Sequence, residues 1–86
     1  MIIHKVEIDK EVREGWTLRD FINEIDETIY MTMFGHSILR VPRTYAELRH
    51  LVDSLIPRHM FTNIKQEQQV VDDLTKYYAN QYGYEE

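Results

Sequence analysis

Residues 43–51 read RTYAELRHL, and within them Glu47 and His50 stand at the Glu-x-x-His spacing by which helical bundles hold paired metal ions. That chemistry needs a second such motif on another helix and a further glutamate from each of two others, all projecting into the core. The chain has no second Glu-x-x-His. On a helical wheel of residues 45–56, Tyr45, Leu48, Leu51, Val52, Leu55 and Ile56 share one arc, and Glu47 and His50 point away from its centre. Glu47 also lies three residues after Thr44, where a carboxylate reaches back to the amide of an N-cap residue. The spacing is therefore expected to arise from how a helix starts, and no metal is expected there. His4, His36 and His59 fall in strand or loop, and no two of them have the spacing of a helical ligand pair.

Other chemistries lack their residues. There is no cysteine, which removes thiol catalysis, disulfides and the cysteine-containing zinc sites. Asp20, Glu24, Asp26 and Glu27 are numerous carboxylates, but helical spacing puts them on a solvated face instead of in a pair of contrasting environments. The three glycines, at 15, 35 and 83, are isolated, so no glycine-rich phosphate loop exists. The expectation is a protein that is not an enzyme and binds no small-molecule cofactor.

Two groups of residues suit recognition better than catalysis. The first is basic. Residues 1–35, 36–60 and 61–86 carry net charges of −4, +2 and −3, so Arg40, Arg43, Arg49 and Arg58 form an island in an acidic chain of net charge −5. All four are arginine, whose planar fork favours bidentate pairing with carboxylate or phosphate. Two readings stay open: pairing within the chain to the acidic first helix, with Arg49 also near Asp53 at i, i+4, or docking of an acidic partner. The second group is apolar and aromatic. Tyr30, Met31 and Phe34 lie off the main stripe of their helix, and Tyr77 and Tyr84 lie at or beyond the margin of another. Tyrosine at a rim is favoured at protein interfaces, because its ring is apolar while its hydroxyl stays wet.

The elements that must position these residues follow from spacing and caps. Residues 2–8, IIHKVEI, alternate in the manner of a short strand or extended arm, and residues 9–15 read as a polar connector. Thr17 is a good N-cap, with Asp20 in the capping-box position and Trp16 placed to pack on Phe21. Leu18, Phe21, Ile22, Ile25, Ile29 and Met33 then form one stripe, and Gly35 is placed to end a helix over 17–34. A competing reading makes residues 28–41 a β-hairpin turning at Gly35, which would give an α+β fold. Residues 37–42, SILRVP, read as extended and able to pair with residues 2–8. A second helix is expected from Tyr45 to about Leu55, with Thr44 as N-cap and Pro57 as stop. A third runs from Asn63 to about Tyr82, with Ile64, Val71, Leu74, Tyr78 and Tyr82 inward, flanked by Val70 and Tyr77.

The whole is read as one domain over residues 1–86, mainly α: a small three-helix bundle with a short N-terminal strand or extended arm. A chain of this length buries only about 60–65% of its unfolded surface, so it has difficulty covering every apolar group at the end of the first helix. No run approaches the roughly 18 apolar residues of a membrane span, and the N-terminus lacks a secretory leader, which suggests a cytoplasmic protein with no membrane partner. The function expected is protein–protein interaction, with a partner protein or by self-association as a homodimer. The size and acidity suit a small accessory, inhibitory or regulatory protein of the kind phages and mobile elements encode. The alternative is a small helix-turn-helix-like regulator that binds nucleic acid. The predicted connection of about six residues and the acidic third helix, with Glu67, Asp72 and Asp73, both count against it.

Overall fold

The computed structural model describes residues 3–86. Its elements, in chain order, are β1 (Glu11–Arg13), β2 (Trp16–Thr17), α1 (Leu18–Met33), α2 (Tyr45–Leu55) and α3 (Ile64–Tyr82), with a 3-10 turn at Arg58–Met60. The mainly helical bundle with a short strand element is therefore what the chain forms, and residues 28–33 are helix, not one arm of a hairpin.

The start of α1 is fixed by a reciprocal pair of bonds. The Asp20 amide donates to Thr17 Oγ1 at 3.3 Å and the Thr17 amide donates to Asp20 Oδ2 at 2.8 Å, so two donors that the helix cannot satisfy internally are satisfied here. Trp16 packs on Phe21 with ring centroids 5.0 Å apart, which sets the angle at which the chain enters the helix. At the other end Gly35 has φ +74, and its amide and that of His36 donate back to Thr32 and Met31. This pair of hydrogen bonds closes the last turn and needs the left-handed backbone that glycine adopts without strain.

The strand pairing differs from the expectation. β1 pairs antiparallel with β2, so the hairpin forms between the segment read as a polar connector and the two residues that follow it, turning at Gly15 with φ +80. Glu11 stabilises the turn by accepting the Gly15 amide at 2.9 Å. Ile2 lies outside the described residues; residues 3–7 join no strand and Ile8 already belongs to a turn, and residues 37–42 are bent loop. The arm is held instead by Asn80 of α3, whose amide side chain bonds both backbone groups of His4, accepting at 2.9 Å and donating at 2.7 Å. A side-chain amide thus supplies the two bonds that a neighbouring strand would supply.

α2 and α3 pack most extensively on one another, and α1 lies against α3. The core is built from Phe21, Ile25 and Ile29 of α1, Leu48 and Val52 of α2, and Val71, Leu74 and Tyr78 of α3, all at 3% exposure or less. Each such side chain contributes about 1.5–3 kcal/mol by leaving water. Tyr78 brings a hydroxyl into this core, and Asp26 accepts it at 2.9 Å. The buried hydroxyls of Thr32 and Thr75 donate to the carbonyls of Thr28 and Val71 one turn back, so neither is left unsatisfied. The connector between α2 and α3 closes onto α1 through Phe61, stacked on Phe21 at 5.6 Å.

One stripe residue fails the sequence reading. Ile64 opens α3 but is 76% exposed, because the helix begins beyond the end of the face it packs against.

Candidate functional site

The basic island divides into two halves with different surroundings. Arg49 points across to α3, its Nε donating to Asp72 at 2.9 Å and its Nη2 to Gln68 at 2.6 Å. Arg58 bonds Asp53 at 3.2 Å and lies 3.9 Å from Glu67. The internal partners are therefore on α3 and at the end of α2, not on the acidic first helix, and Arg49 reaches across to α3 in preference to Asp53 one turn along. Arg40 and Arg43 are exposed, and neither side chain makes a hydrogen bond or ion pair among the described residues.

Glu47 and His50 behave as a helix start. Thr44 Oγ1 accepts the Glu47 amide at 3.1 Å, and the Glu47 carboxylate accepts the Arg43 amide at 3.4 Å. The carboxylate thus reaches one residue further back than the expected Thr44 amide. His50 is exposed, and among the described residues no cluster of three or more His, Cys, Asp or Glu side chains is arranged to hold a metal ion.

The apolar residues singled out above also divide. Tyr77 is half-buried, packed edge-on against Tyr78 at 5.0 Å, on the side of α3 that faces the N-terminal arm. Tyr84 is half-buried, and its hydroxyl donates to the Pro42 carbonyl while lying 3.5 Å from Met33 Sδ. This contact ties the chain's end to the loop that follows α1. Tyr30, Met31 and Phe34 remain exposed at 52%, 38% and 57%, with the rings of Tyr30 and Phe34 paired at 4.7 Å.

Sequence reading did not single out the loop that joins this surface. Ile38, Leu39 and Val41 are exposed, Ile38 fully. Of the eight large apolar side chains exposed among the described residues, six lie between Tyr30 and Val41. The available signal was that SILRVP carries apolar residues on both faces, which a half-buried strand would not do.

Phe34, Val41, Tyr45, Tyr82 and Tyr84 line one open groove of about 590 Å³ with Arg43 at its edge. The tyrosine hydroxyls there are held in the neutral form. Burial raises the pKa of Tyr84, Tyr82 and Tyr45 above the ordinary phenol value, and negative charge adds to the effect: Glu47 near Tyr84, Asp26 near Tyr82, and Glu86 and Asp72 near Tyr45. The groove therefore offers aromatic edges, neutral hydroxyls, one guanidinium and the Glu85 carboxylate, an equipment for recognition.

Residues 56–63 connect α2 to α3 and include a 3-10 turn, a connection longer than the turn of a helix-turn-helix. Among the described residues no helix is long and apolar enough to cross a membrane. Compared with protein-family models, curated proteins and solved structures, the chain matches none.

Proposed function

We propose that this chain is a non-enzymatic protein-binding module, a small cytoplasmic accessory or regulatory protein that acts by docking another protein on the face formed by the end of α1 and the loop after it. One observation carries the reading: six of the eight exposed large apolar residues among the described residues are gathered at positions 30–41, beside two arginines whose side chains have no partner among the described residues. A contiguous apolar patch bordered by charge is the arrangement of an interface, since its burial releases water while the rim charges orient the partner. The other two arginines of the island are engaged within the chain and are not part of this face.

The experiment is affinity capture from the native host with wild-type chain and with Phe34→Asp as bait, each checked by circular dichroism. Phe34 is 57% exposed, so the variant is expected to fold normally and to lose a retained partner by at least about tenfold. Undiminished capture by a folded Phe34→Asp overturns the assignment of this face.

A further inference from the structure

The apolar end of α1 belongs to a longer strip whose charge changes sign along its length. Exposed on α1 are Glu24 and Glu27, then Tyr30 and Met31, with Phe34 as its C-cap. At 3.6 residues per turn these five fall within an arc of about 120°, opposite the buried stripe. Past Gly35 the chain adds exposed Ile38, Leu39, Arg40, Val41 and Arg43, and Arg43 shares its groove with Phe34 and Val41. Glu27 precedes Phe34 by about 10 Å along the helix axis. The order along the strip is thus acidic, apolar, basic.

A surface ordered in this way is complementary to its own copy turned about a two-fold axis, because rotation brings acidic end to basic end and apolar centre to apolar centre. We infer that the strip is the interface of a two-fold homodimer, in which Glu24 and Glu27 face Arg40 and Arg43 of the partner subunit across the Tyr30, Phe34 and Ile38 centre. This rests on the reading of the same face as a protein-docking surface and names its occupant. The charge balance selects a second copy over an unrelated acidic partner. Between Glu24 and Arg43 the strip carries two carboxylates and two guanidiniums, with Glu85 of the chain's end beside Arg43 in the groove, although the chain as a whole is at −5. An acidic partner covering the strip places negative charge against Glu24 and Glu27, a juxtaposition that is unfavourable, whereas a second copy satisfies both ends.

The test is sedimentation velocity over about three decades of concentration, reaching about 0.5 mM, where even a weak dimer is populated. The chains are wild type, Arg40→Glu/Arg43→Glu, Glu24→Arg/Glu27→Arg, Phe34→Asp, and an equimolar mixture of the two charge-reversed variants. Circular dichroism verifies that each is folded. The wild type is expected to dimerise. Each charge-reversed variant, which meets its own copy with like charges, is expected to weaken by at least about tenfold, and their mixture to recover wild-type affinity within about threefold. A wild type that stays monomeric overturns self-pairing, and so does a mixture that fails to recover. If that monomer still loses a captured partner on Phe34→Asp, the docking reading survives without the homodimer. Dimers untouched by Phe34→Asp overturn both.

Discussion

The seam between α2 and α3 and the strip from Glu24 to Arg43 are built from the same residue types and have opposite fates. At the seam, Leu48, Val52, Val71 and Leu74 are buried, and Arg49 and Arg58 along its edge find carboxylates within the chain. In the strip, Tyr30, Phe34 and Ile38 face water, and Arg40 and Arg43 have no internal partner among the described residues. The difference lies in what each segment is packed against. α3 supplies α2 with a full apolar face edged by Asp72 and Glu67. Among the described residues no element packs on the outer face of α1, and the loop after it is tied down through Pro42 and Tyr84 while Ile38, Leu39 and Val41 stay exposed. Composition marks both regions as sticky, and only the fold separates the one already satisfied from the one left available.

The largest expected effect breaks the contrast at its apolar part. Leu74 is completely buried, so Leu74→Ala should cost about 2–5 kcal/mol through lost burial and the cavity left behind. Ile38 is fully exposed, and Ile38→Ala should stay within about 0.5 kcal/mol of wild type. Urea denaturation of the two variants at low protein concentration reads both numbers. A large cost at Ile38 would mean that the loop belongs to the core, and the distinction between the regions would fail.

A smaller effect concerns the Tyr78 hydroxyl, a polar group taken into the core. Tyr78→Phe removes the bond to Asp26 and should lower stability by about 1.5 kcal/mol, the low end for a bond to a charged group because Asp26 is only half-buried. The pH dependence follows in sign. Burial and the neighbouring Asp26 carboxylate raise the Tyr78 pKa well above that of an unfolded tyrosine. Below about pH 10 both states hold the proton and the contribution is complete. Above that the unfolded chain loses its proton first, so stability falls by about 1.4 kcal/mol per pH unit for this group. The half-buried phenols of Tyr45, Tyr82 and Tyr84 act in the same direction. Denaturation between pH 9 and about pH 11 should therefore be shallower for Tyr78→Phe than for wild type, by about one proton.

Local signals in the sequence anticipated what local physics decides. The Thr17–Asp20 box, the Thr44 cap and the inward stripe of α1 follow from neighbours within four residues, and all appear in the fold. The hairpin leaves no pattern in the sequence, because strands of three and two residues are too short to show alternation. It is held from outside, where Leu18 and Arg19 donate their amides to Lys10 and Ile8. The partners of Arg49 were hidden for a related reason, since Asp72 lies 23 positions away and no spacing rule reaches that far. The site was half visible. Spacing places Tyr30, Met31 and Phe34 off the stripe, whereas Ile38, Leu39 and Val41 read as extended, so their gathering with Phe34 emerges only from the chain's path after Gly35.

The smallest effect sharpens the contrast at its charged part. Arg49→Met keeps the length of the side chain and removes its two bonds to α3. Arg49 and Asp72 are 34% and 45% exposed, so water screens the pair and rehydrates the released carboxylate, which limits the loss to about 0.5–1 kcal/mol. A double-mutant cycle with Asp72→Asn should return most of that loss as coupling between the two positions. Arg43→Met removes no such bond and should leave the denaturation midpoint unchanged, yet it takes a positive charge from the strip and should weaken self-association. The two substitutions are chemically identical and lie on the same island, so opposite readouts depend only on where the carboxylate sits: within the chain for Arg49, and on the partner subunit for Arg43. Equal losses of stability at both positions would mean that Arg43 is satisfied internally, and the rim of the docking face would lose its charge.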